Sequence, residues 1–224
     1  MTNKIIGIQG DKLDKINISS DTSIFLAHEA QKLGYKIFYY TPSNLSIIKN
    51  KTYANGVFVK LNYERKKFYK IYKKQKIDVE NLKFILIRQD PPFNSEYLIT
   101  TLILDNLKKT RVINNPVAIR NVSEKLYSKK FTKYMPDTIF SNNIEEVKKF
   151  YKQNKSIIMK PINGYGGNQI HLIKNKFNKK LITNFLKKNG HSMFQKFLKN
   201  ISKGDKRVFI INGKVCGAIS RVPK

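Results

Sequence analysis

Ser156-Ile-Ile-Met-Lys-Pro-Ile-Asn-Gly-Tyr-Gly-Gly167 is the stretch on which the reading of this chain turns. An apolar strand runs into Lys160 and Pro161, and then into a loop carrying three glycines. Glycines let backbone N–H groups come close to a phosphate chain, and a lysine adds a point charge beside them. The segment is not a Walker A loop, because no Gly-Lys-Ser/Thr follows, and it lacks the GxGxxG of a dinucleotide-binding turn. A glycine-rich hairpin turn accounts for the segment just as well. Taken alone, it leaves a phosphate-binding loop and a plain turn both open.

Working outward, the loop sits in a strand–loop–strand unit, with strands expected over 157–160 and 169–173. Upstream, the pattern predicts a helix around 123–134, a strand over 138–140, and a helix over 144–151 capped by Ser141 or Asn142. Downstream come a basic helix over 179–188, a strand over 192–197 and a hairpin. In the hairpin, residues 207–211 pair with 215–221 across Asn212-Gly213, the strongest short-range hairpin signal. The first half alternates strands with helices. Strands are expected over 4–9, 36–40, 56–61, 84–88 and 111–113. One helix should run from Asp21 to about Leu33, ended by Gly34, and a second from 95 to 108. The lysine-rich run 64–76 puts Phe68, Ile71, Tyr72 and Gln75 on one helical face, so it reads as a solvated surface helix. Strands alternating with helices imply a parallel α/β sheet, whose ligands sit beyond the carboxyl ends of the strands. Arg88, Asp90 and Asn114 fall there. A boundary is expected near Asn115-Pro116.

The 224 residues suffice for one large core or two smaller ones, and a hydrophobic content of 41% is ordinary for a globular protein. No apolar stretch is long enough to span a bilayer, and the first residues resemble a short strand more than a signal peptide. Cys216, the single cysteine, excludes an intrachain disulfide framework and a cysteine-based zinc site. A cytoplasmic protein without a membrane partner is the expectation. The net charge of +29 raises the possibility of a nucleic-acid partner. Against it, the excess is lysine far more than arginine, it runs the whole length of the chain, and abundant Asn and Ile accompany it as in a general compositional bias. The basic nucleic-acid-binding module is therefore kept only as an alternative.

Five blocks carry a resemblance to a known family. They are Asp21-Thr-Ser with Glu29-Ala-Gln-Lys-Leu-Gly-Tyr35; Arg88-Gln-Asp-Pro-Pro-Phe93 with Glu96-Tyr97; and Asn115-Pro116, Arg120 and Glu124-Lys-Leu126. The last two are Met159-Lys-Pro with Gly164-Tyr-Gly-Gly167, and Gln195-Lys-Phe-Leu198 with Gly204-Asp-Lys-Arg-Val208 and Arg221-Val-Pro223. In this order they resemble the prokaryotic glutathione synthetases, members of the ATP-grasp ligase superfamily. The resemblance implies an N-terminal α/β (pre-ATP-grasp) domain over residues 1–121. It also implies the first part of an ATP-grasp domain, the lid subdomain and the start of the C-terminal sheet, over 122–224. The implied reaction has ATP phosphorylate the carboxylate of γ-glutamylcysteine and the glycine amine attack the acyl phosphate. Such chemistry needs no side-chain nucleophile. Cys216 has no evident histidine partner, and His28, His171 and His191 have no ligand spacing.

Carried over by position, the resemblance implies that Lys125 and Lys160 contact the ATP phosphates beneath a mobile loop of Gly164, Tyr165, Gly166 and Gly167. It puts Gln195, Lys196, Phe197 and Leu198 along the adenine pocket and Asp205 on the ribose. Arg207 and Arg221 would face the acyl-phosphate centre, where planar guanidinium groups suit developing negative charge. A solvated strand end is the plain alternative for Arg207, and a turn residue for Asp205. Arg88 and Asp90 would face the substrate crevice. The resemblance also allows a homo-oligomer. It stops at Lys224, whereas family chains continue with a further glycine-rich loop and strands bearing the Mg²⁺ ligands. After Lys160 the only acidic residue is Asp205, so the phosphate-loop half cannot build the usual metal site. The expectation is a C-terminally truncated ligase, inactive alone, whose last strand leaves an unpaired sheet edge. A ligase of the same superfamily with another acid and amine is the second alternative.

Overall fold

The computed structural model describes residues 4–65 and 67–222. The chain divides into two compact units, Met1–Ser123 and Glu124–Lys224.

In the first unit the elements run β1 (Ile5–Gln9), α1 (Thr22–Lys32), β2 (Lys36–Tyr40), β3 (Leu45–Ile48), β4 (Lys51–Leu61), β5 (Tyr69–Asp78), β6 (Phe84–Ile87), α2 (Ser95–Asp105), β7 (Arg111–Ile113) and α3 (Pro116–Asn121). Asp21 caps α1 by accepting from the Ile24 N–H at 2.8 Å, and Gly34, at φ +82°, ends it in the left-handed region. β1 is central and pairs in parallel with β2 and β6, and β6 pairs in parallel with β7. The strand order is β3-β4-β2-β1-β6-β7, so it reverses direction at β1. Alternation along the strands sends side chains to two cores. Ile6, Ile8 and Ile37 pack against Ile24 and Ala27 of α1. Phe38, Tyr40, Ile85 and Ile87 pack against Leu104 of α2, with Ile119 of α3 beside them.

Three expectations about this unit are corrected. The sheet is mixed, because β4 pairs antiparallel with β2, β3 and β5. The run 64–76 is no helix: Tyr69–Asp78 is a strand lying along Tyr53–Leu61 of β4, and Lys66 lies outside the described residues. Tyr69, Ile71 and Tyr72 suit a pleated surface as well as a helix face. The open edge of β4 supplies a row of backbone partners that an isolated surface helix would not have. β5 is then an outer strand, and its lysines blunt the edge against pairing with other chains. The second helix also stops at Asp105, three residues short of the expectation.

The second unit begins with a 3₁₀ segment, Tyr127–Tyr134, followed by β8 (Thr138–Ser141), α4 (Ile144–Asn154), β9 (Ser156–Pro161), β10 (His171–Lys174), α5 (Lys179–Asn189), β11 (Ser192–Lys196), β12 (Asp205–Ile211) and β13 (Lys214–Arg221). The helix expected around 123–134 is thus a kinked 3₁₀ stretch with Phe131 outside helical φ/ψ. The cap of α4 is Asn143, one residue past the expected positions, accepting from the Glu145 N–H at 2.8 Å. β10, β9, β11 and β8 form an antiparallel sheet in that order. One face of it packs Ile157, Met159, Ile173 and Phe194 against Val147 and Phe150 of α4 and Ile182, Phe185 and Leu186 of α5. By the period of two, Thr138, Phe140, Ile158, Lys160, Leu172, Met193 and Gln195 belong to the opposite face, which neither helix covers. β12 and β13 form a separate hairpin. It is closed by Asn212 and Gly213 at φ +50° and +76°, both positive as a type I′ turn requires, and every residue in its strands is exposed.

Candidate nucleotide site

Lys160 is the next-to-last residue of β9, on the sheet face away from the two helices. Pro161 follows, buried, and the chain enters the glycine loop. A Cβ on Gly164 would lie 2.8 Å from Pro161 Cγ, so a larger residue would press on the buried proline. Gly166 and Gly167 adopt φ of +60° and +76°, which only glycine takes without strain. Tyr165 is 42% exposed, so the loop tip is accessible.

Two ammonium groups meet this loop. Lys125 Nζ donates to Gly164 O and, at 3.3 Å, to Ile162 O, tying the loop by two of its carbonyls. Lys160 Nζ donates to Gln195 Oε1 at 3.0 Å. Burial holds the Lys160 ammonium below the ordinary lysine range, and the nearby Lys125 charge lowers it further, with Glu124 opposing. Two cations close enough to sense each other, one partly desolvated, make a positively charged site beside the exposed loop. That combination suits a polyphosphate and would repel a cationic ligand.

The remaining positions of the second unit are spread along β11 and the hairpin. Gln195 is buried. Lys196 is exposed, with its backbone N–H on Asp137 O at 2.8 Å and its ammonium 3.7 Å from the Asp137 carboxylate. Phe197 N–H donates to Ser156 O at 3.0 Å, and Leu198 is exposed. Asp205 and Arg221 are directly opposed across the hairpin. Arg221 Nε donates to Asp205 Oδ1 at 2.7 Å, and Nη2 donates to the other oxygen. The Arg221 guanidinium holds the Asp205 carboxyl below its usual range, and the carboxylate raises Arg221 in turn. Arg207 pairs across the strands with Ile219 and makes no such ion pair among the described residues.

In the first unit, Arg88 and Asp90 follow β6 at the point where the strand order reverses. Arg88 Nε donates to Ser23 Oγ at 2.9 Å and Nη2 to Thr22 Oγ1 at 2.7 Å, so the guanidinium is fixed to the first turn of α1. The Asp90 N–H donates to the Asp11 carboxylate at 2.8 Å. Burial raises the Asp90 carboxyl, and Asp11 and Asp21 raise it further against the pull of Arg88. Beneath them Gln9 and Gln89 are buried and hydrogen-bonded to each other. Thr22, Ser23 and Asp11 belong to this cluster; the sequence marked Thr22 and Ser23 within the Asp21-Thr-Ser block and gave none of the three a role in a site. Thr138, which accepts from Gln195 Nε2 at 2.9 Å, carried no sequence signal beyond its place in a short strand.

The fold is that of the ATP-grasp ligases. A D-cycloserine synthetase superposes with a TM-score of 0.68 at 12% identity, covering 97% of this chain and 68% of the other. The ATP-grasp ligase PsnB, solved with a precursor variant, Mg and ADP, gives 0.59 at 16% identity, covering 97% and 71%. The family follows from sequence. The model of the prokaryotic glutathione synthetase N-terminal domain matches residues 5–120, and that of its ATP-grasp domain matches residues 124–224. The glutathione synthetase of Mesorhizobium japonicum is 37% identical over 225 residues, covering 97% of this chain and 71% of its own length. The chain belongs to the prokaryotic glutathione synthetase family, a family of ATP-dependent carboxylate–amine ligases.

Proposed function

We propose that this chain binds ATP through Lys125, Lys160 and the loop Gly164–Gly167, and that it serves the joining of γ-glutamylcysteine to glycine in the cytoplasm. The observation that carries the reading is the pair of ammonium groups at the glycine loop, one of them partly desolvated and held by Gln195. In this reading the β11 segment Gln195–Leu198 lies along the adenine, Asp205 takes the ribose, and Arg207 and Arg221 stabilise charge at the acyl transfer. Arg88 and Asp90, at the sheet's switch point, face the peptide substrate. The residues bind, orient and neutralise charge, while ATP supplies the activation.

Magnesium is the second cofactor of this chemistry and would offset phosphate charge when bound. The described residues do not fit it: among them no three His, Cys, Asp or Glu side chains come together as a metal site. Asp205 is the only acidic residue after Lys160, and one carboxylate beside the Arg221 guanidinium does not make such a site. We therefore place the Mg²⁺ ligands outside residues 1–224 and expect no turnover from these residues alone.

The test is equilibrium ATP binding by the full chain and by Lys160→Ala, with ADP release measured in the presence of γ-glutamylcysteine and glycine. The expected result is binding by the parent chain, at least tenfold weaker binding by the variant, and no substrate-dependent ADP release. A folded chain with no affinity for ATP would overturn the site. Substrate-dependent ADP release would overturn the placement of the metal ligands.

A further inference from the structure

We propose that Thr138 and Gln195 form a brace that positions the Lys160 ammonium, so that Thr138, on a different strand and far from Lys160 in sequence, sets the geometry of the phosphate site. The proposal deepens the ATP-binding reading, because it takes Lys160 as the phosphate-facing group.

The brace crosses three neighbouring strands. Thr138 on β8 is directly opposite Gln195 on β11, and Lys160 on β9 is opposite Met193, one diagonal step from Gln195 on the same face. The polarity of the chain is fixed at each link. The Thr138 hydroxyl donates to Pro136 O at 2.7 Å, so its lone pairs face the other way and accept from Gln195 Nε2 at 2.9 Å. With its nitrogen committed to Thr138, the Gln195 amide can turn only its oxygen toward Lys160, whose Nζ donates to it at 3.0 Å. Gln195 is 8% exposed, so this amide cannot exchange these partners for water without cost.

The charged groups that face Lys160 are Lys125, which repels it, and Glu124, which attracts it. Neither is hydrogen-bonded to its ammonium. Among the described residues, the neutral Gln195 amide oxygen is the hydrogen-bond partner that holds Nζ against the push of Lys125. Without Thr138 the buried amide loses the acceptor that sets its orientation. A flipped amide would present N–H groups to an ammonium, which can only donate. Lys160 would then swing away from its place at the start of the loop.

The experiment uses the full chain with Thr138→Val, which keeps the shape and removes the hydroxyl, and Thr138→Ser, which keeps the hydroxyl. Two readouts are taken: titration of the Lys160 side chain by NMR, assigned with Lys160→Arg, and affinity for MgATP. Thr138→Val should lower the Lys160 midpoint by roughly half a unit and weaken MgATP by about tenfold. Thr138→Ser should restore both. A merely structural threonine would change the melting temperature and leave the Lys160 midpoint unmoved, and that result overturns the brace.

If the valine variant does not fold, Gln195→Glu replaces it. A carboxylate at that place should raise the Lys160 midpoint and weaken MgATP, and an unchanged midpoint again overturns the proposal. The two readouts also separate this inference from the one beneath it. A moved Lys160 midpoint in a chain that binds no MgATP sinks the ATP reading and keeps the brace. Tight MgATP binding with an unmoved midpoint does the reverse.

Discussion

Lys125→Met removes the charge that ties down the glycine loop while keeping a stem of similar length. In the structure the ammonium donates to Gly164 O and, more distantly at 3.3 Å, to Ile162 O. A hydrogen bond involving a charged group contributes roughly 1.5–3 kcal/mol. Lys125 is only half-buried, so solvent screening keeps the total near the bottom of that range. Taking about 1.5 kcal/mol, the loop should open about tenfold more often in the variant. Tyr165, at the exposed loop tip, gives chymotrypsin a cleavage site there. When opening is fast relative to cleavage, the cut rate follows the opening equilibrium. Cleavage after Tyr165 should therefore rise about tenfold in Lys125→Met, measured well below the thermal transition of either protein, and ATP should slow it in the parent chain. Equal cleavage rates in the two folded proteins would refute the tether.

Phe194→Ala empties the centre of the second unit's core, where Phe194 is fully buried among Ile157, Met159 and the α4 and α5 side chains. A loss of about 3–5 kcal/mol is expected, out of the roughly 5–15 kcal/mol typical of a domain. Calorimetry should show the transition of residues 124–224 falling by more than ~10 °C, and a drop under ~5 °C would contradict this packing. Glu80 gives a pH prediction. Partial burial pushes its carboxyl up, but the backbone N–H groups of Lys108, Lys109 and Thr110, at 2.7, 2.9 and 2.9 Å, outweigh this and hold it below the ordinary range. A depressed folded value means the contribution is present above the unfolded pKa of about 4.3 and is lost as pH falls through the folded value. Glu80→Gln should cost roughly 1 kcal/mol at pH 7 after screening, and denaturant melts should show that cost vanish toward pH 3. A cost independent of pH would contradict the carboxylate's role.

Much of the framework was legible because it rests on local chemistry. Asp21, through its side chain, and Gly34 and the Asn212-Gly213 turn, through their backbone conformations, act within a few residues, so the sequence marks them directly. The apolar run of β6 needed no partner to be recognised. The run 64–76 reads as a helix because its apolar spacing fits a helix face and a pleated edge alike, and only the open edge of β4 selects the strand Tyr69–Asp78. The kink at Phe131 and the shift of the α4 cap to Asn143 belong to the same class: local patterns allow neighbouring solutions, and packing selects one.

The sequence by itself determined the two-part α/β organisation, the glycine loop with Lys160 before it, and the blocks that place the chain in its family. Each is written in residue type and spacing along one stretch of chain. Only the tertiary structure decided what those residues do to one another. Lys125 reaches loop carbonyls 37 and 39 residues away, Gln195 stands between Lys160 and Thr138, and Arg221 closes on Asp205. The reason is physical. A cap or a turn is satisfied by backbone within a few residues, whereas the polarity of a buried amide or the pull on an ammonium depends on strands that meet only when the sheet forms.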